Sequence, residues 1–154
     1  MKEYPYFPIF INLSDKEVVV IGAGNIAKRR IQTLTEFTKH LTVIAPVIHP
    51  DIEWLAKSKN IRLLRKKYEV TDIFGADMVL AATNDTEVNH EIYEICRKRN
   101  IPVNVCNDRE KCDFYFPGLA EREDVVVGVT ANGMNHKKAK VVTEKMREML
   151  KECW

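Results

Sequence analysis

A glycine-rich turn between a strand and a helix constrains this chain more than any other feature. Residues 17–30 read EVVVIGAGNIAKRR, in which an apolar run ends at Gly22-Ala23-Gly24 and apolar residues then recur at helical spacing. In this G-x-G-x-x-A pattern the first glycine permits a sharp bend, the second lets backbone N–H groups approach a pyrophosphate, and Ala27 lets helix and strand pack closely. The turn predicts a dinucleotide at the helix N-terminus, where N–H groups and the helix dipole favour negative charge.

Residues that follow three predicted strands are the candidates for contact with NAD. We expect the pyrophosphate at backbone groups of Gly22, Gly24, Asn25 and Ile26, the adenosine against Ala45, Pro46 and Val47, and the nicotinamide near Thr83 and Asn84. A glycine pattern alone is weak evidence, and the usual support is an acid about 20 residues further on that holds a ribose hydroxyl. Here no acid follows Ala45 before Asp51, so the choice between NAD and NADP stays open.

Predicted strands and helices alternate along the first two thirds of the chain. Apolar runs predict strands at 18–21, 41–45, 61–64, 76–82 and 101–105, a helix at 50–59, and another helix that starts after the turn and cap at 83–86. This order predicts an α/β fold, a Rossmann-like parallel sheet with helices on both faces, and ligands beyond the carboxyl ends of its strands. Residues 4–13, which are mostly aromatic and apolar, include two prolines. They therefore suit an extended edge segment better than a central strand.

The end of the chain has a different pattern. Short strands are predicted at 113–116 and 125–129, and a helix with one apolar face at 135–150. These strands do not suit a parallel sheet, so we expect an added β/helix element that meets a second copy of itself in a homodimer. The predicted division is an NAD-binding domain over 1–112 and a dimerisation and substrate-site element over 113–154.

Composition excludes several other classes of protein. The 154 residues carry a net charge of +2 and no apolar run near the ~20 residues of a membrane span, which points to neither nucleic acid nor membrane. The first residues do not resemble a signal peptide, and we expect a soluble, cytoplasmic protein. Four cysteines without a C-x-x-C pair and four histidines without ligand spacing predict neither a disulfide framework nor a metal site.

Five motifs together resemble a known family. In order and spacing, PIFINLSDKEVVVIGAGNIAKRR, AATND, PVNVCND, CDFYFPG and VTANG resemble the precorrin-2 dehydrogenase family, the NAD-dependent module of siroheme synthases. The resemblance implies oxidation of the tetrapyrrole precorrin-2 to sirohydrochlorin, with iron insertion in some members. Longer members have a helical region beyond the last helix, which this sequence lacks, so a complete chelatase site is not expected.

The resemblance implies candidate catalytic residues in the PVNVCND motif. The family pattern resembles N-V-x-D with a catalytic aspartate, whereas this chain has Asn107 at that place and Asp108 one residue later. An asparagine cannot take up a proton, so either Asp108 has moved into the role or the base is missing. The second alternative favours a non-catalytic NAD(H)-binding sensor over a dehydrogenase.

Cations and polar groups near these motifs are candidates for the carboxylates of precorrin-2. They are Arg109 and Lys111 after the aspartate, and Asn135, His136 and Lys137 at the start of the last helix, where family members often have Ser-Pro. A solvated basic surface is the alternative explanation for these residues.

Overall fold

The structure, a computed structural model, describes residues 4–154 as two compact units. Residues 10–114 form one unit, and residues 4–9 join 115–154 in the other. No helix within the described residues is long and apolar enough to cross a membrane.

A five-stranded parallel sheet forms the larger unit, as predicted. Its strands are β1 (Val18–Ile21), β2 (Leu41–Ile44), β3 (Ile61–Leu64), β4 (Met78–Ala81) and β5 (Val103–Val105). They lie in the order β3-β2-β1-β4-β5. The direction of winding therefore reverses between β1 and β4, which is the topological switch point of a Rossmann-like sheet.

Three α-helices and one 3₁₀ helix connect these strands. The α-helices are α1 (Asn25–Leu34), α2 (Pro50–Ala56) and α3 (Thr86–Arg99), and the 3₁₀ helix, Val70–Ile73, lies between β3 and β4. Right-handed crossovers place α1 and α2 on one face of the sheet and α3 on the other, because the chain winds outward in opposite directions from the switch point. All residues of β1 and β4 are buried, as expected for central strands covered on both faces.

Local capping explains where α3 begins and ends. The Asp85 carboxylate accepts hydrogen bonds from the backbone N–H groups of Glu87 and Val88, at 3.0 and 3.2 Å. At the other end Asn100 adopts the left-handed conformation with φ +56°, and the preceding turn is basic. The predicted helix cap in residues 83–86 is confirmed.

The smaller unit contains an antiparallel hairpin and the last helix. Strands β6 (Gly118–Arg122) and β7 (Val125–Val129) pair with each other, and α4 (His136–Glu152) packs on both. This is the added β/helix element that the sequence predicts. The separate roles assigned to residues 1–112 and 113–154 stay a prediction.

Two predicted elements near the ends of the chain are wrong. Residues 113–116 form no strand, because Asp113 is tied to β5: its N–H donates to Val103 O at 2.9 Å and its carboxylate accepts from Val103 N at 3.0 Å. Residues 5–13 join no strand either. Instead, the ring of Tyr6 stacks on that of Tyr115, with centroids 4.2 Å apart.

Close packing between β6 and α4 predicts a large difference between two glycines of the hairpin. A Cβ at Gly118 would lie 2.1 Å from Thr143 Oγ1, whereas one at Gly128 would meet only Pro117, at 3.6 Å. We expect Gly118→Ala to destabilise the protein by about 1–3 kcal/mol, the usual cost of overpacking, and Gly128→Ala to have less than half that effect. Urea denaturation of both variants measures this, and equal losses would contradict the packing.

Candidate functional site

The register of the sheet brings three loops together at its carboxyl edge. Ile21 of β1 pairs with Ala81 of β4, which in turn pairs with Val105 of β5. Consequently the segments 22–26, 82–85 and 106–108 leave the sheet side by side, next to the switch point. The N–H of Ala82 donates to Ile21 O at 2.8 Å and extends the ladder by one residue.

The two glycines of the turn have different structural roles. Gly22 has φ +108°, and a Cβ on it would lie 2.3 Å from the carbonyl oxygen of Ala82. This position therefore admits only glycine, because β4 leaves the sheet directly against it. Gly24 has an ordinary extended backbone, and a Cβ there would point into open space.

The start of α1 fits a dinucleotide pyrophosphate. Gly24 is its N-cap, no side chain caps the helix, and its first turn has no acidic residue. The first N–H groups of a helix have no partner within it. Those of Asn25 and Ile26 are therefore available to a ligand at the N-terminal end of α1. Unpaired donors, a positive helix end and the open side of Gly24 suit a diphosphate.

The predicted adenosine side is apolar and exposed at its rim. Ala45 is buried, and its N–H donates to Leu64 O at 3.1 Å, whereas Pro46 and Val47 are exposed. Asp51, the nearest acid after β2, lies 3.0 Å from Lys28 Nζ, and this hydrogen bond lowers the pKa of Asp51. The carboxylate is thus paired with a residue of α1.

Thr83, Asn89 and Asn107 form a polar cluster on the predicted nicotinamide side. Asn89, in the first turns of α3, is 1 % exposed. Its Oδ1 accepts from the Thr83 hydroxyl at 2.6 Å, and its Nδ2 donates to Asn107 Oδ1 at 3.1 Å. Asn84 is exposed beside the cluster.

Sequence reasoning missed Asn89. The buried residues of α3 are Asn89, Ile92 and Cys96, so this asparagine lies on the helical face that packs against the sheet. A polar residue at an apolar position of a helix face is the signal that could have found it, since a buried amide requires hydrogen-bond partners.

Asp108 is hydrogen-bonded within its own loop. One carboxylate oxygen accepts from the N–H of Glu110 at 3.1 Å, and the other lies 3.2 Å from Lys111 Nζ. Arg109 is exposed and lies 3.4 Å from a carboxylate oxygen of Glu110. Asn107, Asp108, Arg109 and Lys111 therefore form one continuous polar loop after β5.

The other predicted substrate residues belong to the smaller unit. Asn135 is the N-cap of α4, and its Oδ1 accepts from the N–H of Lys138 at 2.9 Å. His136 and Lys137 are exposed in the first turn of α4, which has no acidic residue. The roles assigned to all of the candidate cofactor, catalytic and substrate residues stay predictions.

Within residues 4–154, no group of three or more His, Cys, Asp or Glu side chains could hold a metal.

The four cysteines differ in accessibility. Burial raises the pKa of Cys96 to about 12 and also raises the pKa values of Cys106 and Cys112, whereas Cys153 is exposed. Because the thiolate is the reactive form, we expect iodoacetamide at pH 8 to modify Cys153 at least tenfold faster than Cys106. Peptide mass spectrometry measures both rates, and equal labelling would contradict the partial burial of Cys106.

A doubly wound parallel sheet with a glycine turn at its switch point defines the class of Rossmann-type dinucleotide-binding proteins. The family model described as "Putative NAD(P)-binding" matches residues 9–118, and the chain belongs to that family. The predicted nicotinamide dinucleotide cofactor agrees with the description of this family.

Two similar proteins have names that refer to siroheme. It is 39 % identical over 147 residues to a protein of Ruminiclostridium josui named "Probable multifunctional siroheme biosynthesis protein". It is also 35 % identical over 144 residues to a siroheme synthase of Psychrobacter arcticus. These matches cover 95 and 94 % of the chain but only 28 and 26 % of the relatives, so the chain spans about a quarter of their length.

A solved structure of a precorrin-2 dehydrogenase is also similar. Its TM-score is 0.75 at 26 % sequence identity, and the match covers 97 % of this chain and 71 % of that one. Both the predicted Rossmann-like fold and the resemblance to the precorrin-2 dehydrogenase family are confirmed by these comparisons.

Proposed function

We propose that the chain is an NAD-dependent precorrin-2 dehydrogenase of siroheme biosynthesis. The observation that carries the proposal is the carboxyl edge of the sheet, where the glycine turn and the loop of Asn107 and Asp108 flank the loop after β4. Similarity to a precorrin-2 dehydrogenase structure over 97 % of the chain supports the choice of substrate. Its relatives named siroheme synthase support the same pathway.

Each part of the edge has a role in this proposal. Backbone N–H groups at the start of α1 would hold the pyrophosphate of NAD. When bound, the nicotinamide of NAD would accept a hydride from precorrin-2. The oxidation also releases a proton from the substrate, and the Asp108 carboxylate, directly after Asn107, is the proposed acceptor. Arg109 and Lys111 supply positive charge for substrate carboxylates.

A non-catalytic NAD(H) sensor is the second candidate. Its supporting observation is that Asn107 cannot accept a proton, while both oxygens of Asp108 are bound to Glu110 N and Lys111 Nζ. A sensor needs the glycine turn but no proton acceptor.

Anaerobic incubation of the purified protein with precorrin-2 and NAD distinguishes the two. A dehydrogenase produces NADH, measured by its absorbance, and sirohydrochlorin in equal amounts. A second incubation with sirohydrochlorin and ferrous iron tests for chelatase activity. NADH binding without turnover, under conditions where an established dehydrogenase is active, would exclude the enzyme and favour the sensor.

We further propose a cytoplasmic homodimer that forms through the smaller unit. Support comes from the valines of β7, which are only half-buried, and from Val141 and Met149 of α4, which are 52 and 49 % exposed. Sedimentation equilibrium measures the mass, and a monomer at micromolar concentration would contradict the dimer.

A further inference from the structure

The orientation of the Asn89 amide is fixed by backbone groups that have no alternative. Its Oδ1 lies 3.2 Å from the N–H of Thr83, which can only donate, and its Nδ2 lies 3.1 Å from Thr83 O, which can only accept. A flipped amide would place two donors together and two acceptors together. Since Asn89 is 1 % exposed, no solvent could compensate for such a mismatch.

This constraint extends to the side chain of Asn107. The second hydrogen of Asn89 Nδ2 is directed at Asn107, at a distance of 3.1 Å, and a donor requires an acceptor. The Asn107 atom at this contact must therefore be Oδ1. Its own Nδ2 is turned away from Asn89, on a side chain that is exposed at the carboxyl edge of the sheet.

We propose that Asn89 is a positioning residue that holds Asn107 with its amide nitrogen toward the ligand, so that residue 107 donates a hydrogen bond to a carbonyl or carboxylate oxygen of the bound cofactor or substrate. The ligand's identity rests on the proposed function, but the orientation of the two amides does not. Residue 107 then binds and orients the ligand, and the proton of the reaction is left to another group.

The first test is direct and independent of activity. Nuclear magnetic resonance of the Asn89 side-chain amide is expected to show two hydrogens that exchange slowly with water, one bonded to Thr83 O and one to Asn107 Oδ1. In Asn107→Ala one of the two becomes at least tenfold faster and the other stays slow. In Asn107→Asp, which keeps an acceptor at this place, both stay slow. Fast exchange of both hydrogens in the wild type, or no change in Asn107→Ala, would overturn the proposal.

The second test separates positioning from a purely structural role. We expect Asn107→Ala to weaken NADH affinity, or kcat/KM for precorrin-2, about tenfold. Asn89→Ala should cause a similar loss in the wild type but less than a twofold further loss when combined with Asn107→Ala. Asn104→Ala is the matched control, because Asn104 is also buried in this unit and donates to Phe114 O at 2.8 Å. Its effect should be equal in both backgrounds.

The readouts identify the ligand oxygen and distinguish this inference from the proposed function. A loss of NADH affinity assigns the acceptor to the cofactor, and a loss confined to kcat/KM for precorrin-2 assigns it to the substrate. Absence of turnover in the wild type, with the NADH affinities still coupled, would reject the dehydrogenase and support the role of Asn89. The positioning role of Asn89 would be overturned by equal effects of Asn89→Ala in the wild-type and Asn107→Ala backgrounds. It would also be overturned if neither readout responded to Asn107→Ala.

Discussion

Gly22→Ala is expected to cost about 3–5 kcal/mol of folding free energy, a large part of the 5–15 kcal/mol typical of a domain. Two penalties combine at this position. A non-glycine residue is strained at φ +108°, and its Cβ would lie 2.3 Å from Ala82 O, a backbone atom that cannot move without displacing β4. Thermal unfolding followed by circular dichroism should show a midpoint lower by roughly 10 °C or more.

Gly24→Ala is the matched control, two residues away in the same turn. Its backbone suits alanine and a Cβ would meet no atom within 4 Å, so the unfolding midpoint should change by less than about 2 °C. The new methyl group would instead occupy the side from which a pyrophosphate approaches the start of α1. We expect NADH affinity to fall at least tenfold, as measured by fluorescence titration. Equal stability losses in the two variants, or full NADH affinity in Gly24→Ala, would contradict the separate roles of the glycines.

Local sequence patterns predicted most of the sheet but not where the chain departs from it. β1, β3 and β7 have their predicted bounds, because short apolar runs between turn residues are local signals. The predicted strand at 113–116 failed because Asp113 bonds to Val103, ten residues earlier, and a strand-like run of aromatic residues gives no sign of that contact. α2 also ends at Ala56, before the predicted end at residue 59.

The candidate site was predictable as a set of loops but not as a geometry. Chain order alone identified the segments after β1, β4 and β5, since ligands bind where parallel strands end. The contact between Asn89 and Asn107 joins a helix to a loop 18 positions away, so only the folded structure shows it. The same applies to Asp108, whose carboxylate caps the short helical turn at 109–111.

Asp108→Asn is expected to have the largest effect on turnover of any single change in the loop. An asparagine keeps a side-chain oxygen that can accept from the N–H of Glu110, at 3.1 Å in the wild type, so the loop should retain its shape. It removes the negative charge that pairs with Lys111 and the capacity to accept a proton. Loss of a general base typically lowers rates by about 10²–10⁴-fold, and we expect kcat with precorrin-2 to fall within that range.

NADH affinity should change less than threefold in Asp108→Asn, because the proposed pyrophosphate site lies at the turn after β1 and not in this loop. Lys111→Met is the control for the lost ion pair: it removes the partner at 3.2 Å but leaves the carboxylate, so kcat should fall far less while KM for precorrin-2 rises. If Asp108→Asn retains kcat, Asp108 is not the base, and another group must accept the substrate's proton. If both variants lose kcat equally, the ion pair matters for its structure and the assignment of Asp108 as proton acceptor is wrong.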